Sequence, residues 1–246
     1  MRSVRGKRAL ITGGARRLGR DCALALAARG VDIILHYNHS EAEARRTEEQ
    51  IRSLGAACRI YRQDLQDSEQ SIAFVRSLMK QHDIQILVNS ASVFPADTLP
   101  EITPDSLLYN LSVNAYAPFF LARELAENGK LTDIVNFLDT RITGPDTAHA
   151  SYHISKRMLH TMTMMLAEEL APQVRVNAIA PGPVLLPEGA SSQLAERLKD
   201  QVPLQAIGAP EDVTEALLYL LQSSYVTGQV LYIDGGMHIR GNRYNA

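Results

Sequence analysis

The chain has 246 residues, of which 46% are hydrophobic and 21% charged, and its net charge of -2 provides no basic field for nucleic acid. Its two cysteines, Cys22 and Cys58, are isolated in the sequence, which excludes a C-x-x-C zinc or redox motif, and we expect no metal site. No apolar run reaches the roughly 18 residues of a membrane span and no signal-type region stands at the start, so we expect a cytoplasmic protein without a membrane partner.

Short apolar runs alternate with longer amphipathic stretches along the chain. Seven runs are predicted to be strands: Ala9–Ile11, Asp32–Leu35, Arg59–Gln63, Ile86–Asn89, Asp133–Leu138, Arg175–Ile179 and Val230–Ile233. Six stretches are predicted to be helices: Leu18–Arg29, Glu41–Leu54, Ser68–Gln81, Pro104–Asn128, Tyr152–Leu170 and Pro210–Gln222. Repeated β-α units predict one α/β, doubly wound Rossmann domain over residues 1–246, with a seven-stranded parallel sheet and helices on both faces. A ligand of such a domain binds at the carboxyl ends of the strands.

The turn after the first strand has the composition of a nucleotide-binding loop. It reads Thr12-Gly-Gly-Ala-Arg-Arg-Leu-Gly-Arg20 and opens the first helix, so backbone N–H groups and the helix dipole can receive a pyrophosphate. Its predicted contact residues include Gly13, Leu18 and Gly19. A glycine-rich turn alone is often a plain connection, and the position in a β-α-β unit is what favours cofactor binding.

The end of the second strand predicts which cofactor binds. An NAD enzyme places an acid there to bind the ribose 2′-hydroxyl, whereas this chain reads His36-Tyr37-Asn38-His39-Ser40. Arg17, where many such loops carry glycine, can bind a 2′-phosphate through a charge-assisted hydrogen bond worth about 1.5–3 kcal/mol. The cofactor is therefore predicted to be NADPH. The alternatives are that Arg17 is a solvated loop charge, that His36 contacts no ligand, and that Ser40 only caps the next helix.

Tyr152 and Lys156 lie four residues apart and therefore share one face of a helix. An ammonium about 4 Å from a phenol, at an effective dielectric near 20, stabilises the phenolate by about 4 kcal/mol, or roughly three pKa units. Lys156 is therefore expected to lower the pKa of Tyr152 and make it a proton donor near neutral pH. The Y-x-x-x-K pattern also occurs by chance, so its meaning depends on the nucleotide loop upstream.

Together these motifs resemble the short-chain dehydrogenase/reductase family over essentially the whole chain. The resemblance implies catalytic roles for Asn114, through a water link to Lys156, and for Tyr152 and Lys156, which also holds the nicotinamide ribose. It implies a substrate lid near residues 185–199 and a homotetramer built on the long helices and the last strand. The matching cofactor residues after the third, fourth and sixth strands are Asp64, Leu65, Asn89, Ala91, Ser92, Pro181, Gly182 and Val184, and the sheet ends on Asp234-Gly-Gly236.

One position departs from the usual family pattern. The family's serine, about thirteen residues before the tyrosine, is here Asp139. An ionised carboxylate cannot donate a hydrogen bond to a substrate carbonyl, so ketone reduction loses an expected partner. An aspartate can instead hold Tyr152 or accept from an amidine-like N–H array such as that of a pterin ring. The alternative is that Asp139 is a turn residue or a helix cap.

Arg17, the segment His36–Ser40, the segment Asn89–Phe94 and Asp139 together resemble the pteridine reductase branch, which includes bacterial dihydromonapterin reductases. This resemblance implies that Ser92 and Phe94 line the substrate face and that Phe94 stacks on the pterin, which adds about 0.5–1.5 kcal/mol. We predict an NADPH-dependent reductase of a pterin-like small molecule, acting on a C=N bond. The alternatives are a carbonyl reductase, for example of 3-oxoacyl groups, and a non-catalytic NADP-binding regulatory module.

Overall fold

The computed structural model describes residues 2–186 and 191–240. Its strands are β1 Arg8–Thr12, β2 Asp32–Tyr37, β3 Cys58–Arg62, β4 Ile86–Asn89, β5 Asp133–Phe137, β6 Arg175–Pro181 and β7 Val230–Ile233. They pair in parallel in the order β3-β2-β1-β4-β5-β6-β7. The predicted doubly wound, seven-stranded parallel sheet is confirmed, and no predicted strand end is displaced by more than two residues.

Alternate residues of the central strands enter two separate cores, because side chains of a strand point to opposite faces of the sheet. The helices are α1 Arg17–Ala27, α2 Glu41–Ser53, α3 Ser68–Met79, α4 Pro104–Leu111, α5 Ala117–Glu127, α6 Ala150–Glu169, α7 Ser192–Asp200 and α8 Pro210–Gln222. Ile11 of β1 packs in the core formed with α1, α2 and α8, and Leu10 packs in the core formed with α3, α5 and α6. Within residues 2–186 and 191–240, none of these helices has both the length and the apolar character needed to cross a bilayer.

The single helix predicted over Pro104–Asn128 is wrong in one respect. α4 and α5 are joined by a wide π-helical turn at Ser112–Tyr116. Pro118 explains the interruption, because proline has no N–H to pair with the carbonyl of Asn114 four residues earlier, and its ring crowds that carbonyl. The turn therefore lies where the sequence places a predicted catalytic residue.

The lid predicted near residues 185–199 is only partly described. Its second half forms helix α7, begun by Ser191, whose hydroxyl accepts from the N–H of Leu194 at 3.2 Å. The sequence analysis did not predict this helix. Residues 187–190 of the predicted lid lie outside the described residues.

Candidate active site

The predicted motifs meet in one cleft of about 1090 Å³ at the carboxyl edge of the sheet. A cleft of this size accommodates more than one drug-sized group. Two predicted site residues, Asn89 and Asn114, are buried and are not part of its lining. The other predicted site residues line it: Gly13, Arg17, Leu18, Gly19, His36, Tyr37, Asn38, His39, Ser40, Asp64, Leu65, Ala91, Ser92, Phe94, Asp139, Tyr152, Lys156, Pro181, Gly182 and Val184.

The loop after β1 is held against the turn after β4. The hydroxyl of Thr12 accepts from the N–H groups of Ser90 and Ala91, both at 3.1 Å. Gly13 has a φ of +64°, and a Cβ placed there would lie 2.8 Å from the Cα of Ala91, so only glycine fits. Among the described residues, no side chain caps the start of α1. The loop therefore presents backbone N–H groups at a helix N-terminus, and these fit a pyrophosphate.

His36 supports this loop from behind. Its Nδ1 accepts from the N–H of Gly13 at 3.2 Å, and its Nε2 donates to the carbonyl of Gln63 at 2.9 Å. This pairing requires the neutral ring, and burial lowers the pKa of His36 to about 4. Both ring nitrogens are therefore bound to backbone groups of the protein, a role the sequence analysis did not foresee.

Arg17 adopts the left-handed backbone conformation, with a φ of +52°. This explains why many such loops carry glycine at the position, since a side chain there costs about 1–2 kcal/mol. Its side chain is exposed and donates to the carbonyl of Leu185 at 3.1 Å. Ser40 precedes α2, but within the described part of the chain its hydroxyl makes no capping bond to that helix. Arg17 and Ser40 both line the cleft, and the Arg17 side chain bonds to the segment that follows β6.

Tyr152, in the first turn of α6, donates its hydroxyl hydrogen to Oδ2 of Asp139 at 2.9 Å. Asp139 lies two residues beyond the end of β5 and caps the 3₁₀ turn Thr140–Thr143. Its Oδ1 accepts from the N–H of Arg141 at 2.8 Å. Burial and the carboxylate of Asp139 together raise the pKa of Tyr152 well above its usual value. The phenol is therefore neutral and carries a proton directed at Asp139.

Lys156 lies one turn further along α6 and is almost fully buried. Its Nζ donates to the carbonyl of Phe137 at 2.7 Å and lies 5.7 Å from the centre of the Tyr152 ring. Burial lowers the pKa of Lys156 to about 8, against the opposing effect of Asp139. The net pKa of Tyr152 is thus raised rather than lowered in this structure, because burial and the directly bonded carboxylate of Asp139 determine its direction.

Asn114 connects three parts of the site through its amide. Its Oδ1 accepts from the N–H of Val93 at 2.9 Å and from the hydroxyl of Ser92 at 3.1 Å. Its Nδ2 donates to the carbonyl of Val93 at 3.0 Å and to the hydroxyl of Ser155 at 2.9 Å. Asn89 similarly donates to Oδ1 of Asn136 at 2.9 Å and joins the ends of β4 and β5. Both asparagines fix the cleft wall from inside the protein.

Phe94 lies beside the proton donor and is about half exposed. Its ring meets the Tyr152 ring edge to face, with centroids 4.5 Å apart, and stacks on His149 at 4.1 Å. Asp97 holds this segment to the start of α6, because its carboxylate accepts from both the N–H and the hydroxyl of Ser151. The sequence analysis missed Asp97 and Ser151, whose contact joins residues distant in the chain.

Arg141 is the most prominent site residue that the sequence analysis missed. Its Nε donates to Oδ1 of Asp139 at 3.1 Å, and its Nη2 donates to Oδ2 at 3.2 Å. Burial alone would raise the pKa of Asp139, but the hydrogen bonds and charge of Arg141 outweigh burial and hold that pKa below its usual value. The only available signal was the D-x-R spacing, which by itself is unspecific.

A parallel Rossmann sheet, a glycine-rich loop and a tyrosine–lysine pair at its carboxyl edge define an oxidoreductase that uses a nicotinamide dinucleotide. A family model described as Enoyl-(Acyl carrier protein) reductase matches residues 13–238. The chain belongs to the short-chain dehydrogenase/reductase family.

Known proteins similar to this chain carry out different reactions. Dihydromonapterin reductase of Enterobacter sp. (strain 638) is 28% identical over 233 residues, which cover 92% of this chain and 95% of that protein. The crystal structure of FolM alternative dihydrofolate reductase 1 from Brucella canis, complexed with NADP, has a TM-score of 0.88 at 30% identity and covers 97% of this chain and 96% of that chain. The promiscuous reductase LugOII, which catalyses keto-reduction at C1 during lugdunomycin biosynthesis, has a TM-score of 0.87 at 26% identity and covers 97% and 100%.

Proposed function

We propose that this protein is an NADPH-dependent reductase that transfers a hydride to a C=N bond of a pterin, either a dihydropterin such as dihydromonapterin or dihydrofolate. The observation that carries the proposal is the carboxylate of Asp139, which lies 2.9 Å from the hydroxyl of Tyr152 where the family usually has serine. An ionised carboxylate only accepts hydrogen bonds. It therefore suits a substrate that presents N–H groups better than one that presents a carbonyl oxygen.

NADP(H) as the cofactor agrees with the Brucella canis neighbour, which was crystallised with NADP. In this chain the N–H groups at the start of α1, next to the turn at Gly13, would hold the pyrophosphate. Arg17 and Ser40 would bind the 2′-phosphate, and Lys156 would bind the nicotinamide ribose. The bound cofactor supplies the hydride.

The proton would come from Tyr152. Its phenol is neutral because burial and Asp139 raise its pKa, so the proton is present over the whole neutral range. A substrate N–H that bonds to Asp139 would compete with the phenol for the carboxylate and free the phenolic hydrogen for a substrate nitrogen. The buried ammonium of Lys156, 5.7 Å from the ring centre, would then stabilise the phenolate that remains.

Phe94 supports a flat substrate. Its ring is half exposed at the cleft and lies 4.5 Å from the ring of the proton donor. His149 stacks on this ring at 4.1 Å and the Arg141 guanidinium lies 4.9 Å from its centre, so a heterocycle that stacks on Phe94 would replace one of these two partners. A stacked aromatic pair contributes about 0.5–1.5 kcal/mol beyond the burial of apolar area. The stack would also fix the plane of the substrate relative to the Tyr152 hydroxyl.

Carbonyl reduction is the second candidate, and its specific support is the similarity to the keto-reducing LugOII. The Tyr152 hydroxyl could protonate a carbonyl oxygen as well as a ring nitrogen. The carboxylate of Asp139 disfavours this candidate, because it cannot donate to that oxygen. A regulatory module without activity is disfavoured because Tyr152 and Lys156 are both present and face the same cleft.

The test measures NADPH oxidation by the wild-type protein with dihydromonapterin, dihydrobiopterin, dihydrofolate and an acetoacetyl thioester, and with Tyr152→Phe as the matched inactive control. We expect kcat/KM to be at least about tenfold higher for one of the pterins than for the thioester. Reduction of the thioester alone would establish the carbonyl reductase instead. Tight NADPH binding without turnover of any keto or pterin substrate would favour the regulatory module.

We also propose a homotetramer with one cofactor-binding domain and a substrate lid near residues 185–199 in each subunit. Leu108 of α4 and Met165 of α6 support the assembly, because both apolar side chains are exposed on helices that pack against each other. Light scattering should give four times the 27.1 kDa chain mass. A monomer at micromolar concentration would contradict the assembly without affecting the proposed reaction.

A further inference from the structure

We propose that Arg141 is a positioning residue that fixes one oxygen of Asp139 completely and leaves the other as the single point where Tyr152 and a substrate N–H exchange. The inference deepens the proposed function and rests on it in one respect, the role of Asp139 as an acceptor for the substrate. The hold of Arg141 on Asp139 is a property of the protein alone and can be measured without a substrate.

The hydrogen bonds to Asp139 show which acceptor positions of its carboxylate are occupied. A carboxylate has about four acceptor positions, two on each oxygen. Oδ1 of Asp139 accepts from the backbone N–H of Arg141 at 2.8 Å and from its Nε at 3.1 Å, so both positions are filled. Oδ2 accepts from Nη2 of Arg141 at 3.2 Å and from the hydroxyl of Tyr152 at 2.9 Å. A substrate N–H can therefore bind strongly only at Oδ2.

Exchange at Oδ2 links substrate binding to proton release. The phenolic hydrogen of Tyr152 is directed at Oδ2 and is not available to a substrate while that bond persists. When a substrate N–H binds Oδ2 in place of the phenol, the Tyr152 hydroxyl can donate its hydrogen to another acceptor. The substrate N–H cannot bind Oδ1 instead, because Arg141 already occupies both acceptor positions of that oxygen. Arg141 thus makes the release of the proton conditional on a substrate with an N–H donor.

Asp146 keeps the guanidinium in place. Its Oδ2 accepts from Nη1 of Arg141 at 2.8 Å, and its Oδ1 accepts from the N–H groups of Ala148 and His149 at 3.0 and 3.2 Å, just before α6 begins. Arg141 therefore bridges the end of β5 and the start of the helix that carries Tyr152. One guanidinium between two carboxylates has no surplus positive charge, which suits a positioning group rather than an anion-binding site.

The charges around Asp139 show what Arg141 adds. The ionisable groups that act on or respond to Asp139 are Arg141 on its own segment and Tyr152, His153 and Lys156 on α6. Burial acts to raise the pKa of Asp139, and the contacts with Arg141 reverse that effect. Loss of Arg141 should therefore move this pKa upward, so that the carboxylate form is lost at a higher pH as the solution is acidified.

The test compares Arg141→Gln and Arg141→Lys with Arg157→Gln. Arg157 is a matched control because it is exposed and reaches the same segment only through the carbonyl of Gly144, at 3.4 Å. Asp139 is titrated by ¹³C NMR with aspartate labelled at the carboxyl carbon, and Asp139→Asn assigns its signal. The dihydropterin kcat/KM, its pH profile, the NADPH dissociation constant and the melting temperature are measured alongside.

We expect Arg141→Gln to raise the pKa of Asp139, to move the acid limb of kcat/KM to higher pH, and to lower kcat/KM about 10 to 150 fold. Arg141→Lys should leave the pKa of Asp139, read from the NMR titration, close to the wild-type value, because the positive charge is retained. It should still lose turnover, because an ammonium lacks the planar fork of hydrogen-bond donors. NADPH affinity should stay within about twofold in both variants, and Arg157→Gln should match the wild type.

Two results would overturn the inference. One is an Asp139 titration and pH profile in Arg141→Gln identical to those of the wild type. The other is an equal fall of turnover, NADPH affinity and melting temperature in both Arg141 variants, which is the pattern of a purely structural residue. If the wild type reduces only keto substrates, the proposed function fails, and the NMR titration still decides whether Arg141 holds Asp139.

Discussion

Replacing His36 with asparagine should remove most of the acid sensitivity that the nucleotide loop gives to the fold. His36 is buried and binds the N–H of Gly13 and the carbonyl of Gln63 through a neutral ring. Protonation of Nδ1 would place two N–H donors face to face at Gly13. Asparagine can still accept from Gly13 but does not titrate.

The magnitude follows from the pKa of His36, which burial lowers to about 4 from an unfolded value near 6.5. Because the folded state resists protonation, stability is complete above the unfolded pKa and falls as the pH drops from about 6.5 towards 4. At pH 5 this linkage removes about 2 kcal/mol from the free energy of unfolding. At pH 7.5 the variant should instead be less stable than the wild type by about 1–3 kcal/mol, because the Gln63 carbonyl loses its donor.

Urea unfolding followed by circular dichroism at pH 7.5, 6 and 5 measures both effects. The difference between wild type and His36→Asn should shrink by about 2 kcal/mol over this range, and NADPH affinity should fall less with acid in the variant. His160→Asn on α6, away from the nucleotide loop, is the control and should retain the wild-type pH dependence. A constant difference between His36→Asn and wild type at all three pH values would refute the reasoning.

Two further predictions concern the cofactor and the proton donor. NADPH should bind at least about tenfold more tightly than NADH, as measured by fluorescence titration. Arg17→Gly should abolish this preference without loss of stability, because glycine adopts the positive φ without strain. Equal dissociation constants of NADPH and NADH in the wild type would contradict the phosphate contact. Tyr152→Phe should still bind NADPH but lose turnover by about 10² to 10⁴ fold, whereas Lys156→Ala should lose both turnover and cofactor affinity. Retained turnover in Tyr152→Phe would exclude it as the proton donor.

The fold was predictable because each central strand is a short apolar run bounded by turns and helices. In the parallel sheet both faces are buried, so β4 is apolar up to Asn89 and β5 has polar residues only at Asp133 and Asn136. The interruption at Ser112–Tyr116 was predictable in principle from Pro118, but the uninterrupted amphipathic pattern around it favoured one long helix. Periodicity reports the buried face of a helix and is insensitive to one extra residue in a turn.

The site was predictable where single motifs define it, and much less so where its residues act on each other. The spacing of Tyr152 and Lys156 showed that they share a helix face, but it could not show that a carboxylate contacts the phenol directly. Burial and that contact together raise the pKa of Tyr152, against the expected direction. Asp97 was missed because its role arises only when the segment after β4 meets the start of α6. Arg141 was missed because the D-x-R spacing that joins it to Asp139 is unspecific.

Asp139→Ser tests the central claim most directly, because it exchanges an acceptor for the hydroxyl donor that the family usually has at this position. The account predicts that kcat/KM for the best dihydropterin falls about 10 to 150 fold while kcat/KM for the acetoacetyl thioester rises, with NADPH affinity unchanged. Melting temperature is measured in parallel, since a fall in activity towards every substrate together with the melting temperature would mean that Asp139 is structural. Dihydropterin turnover that survives the substitution undiminished would contradict the account.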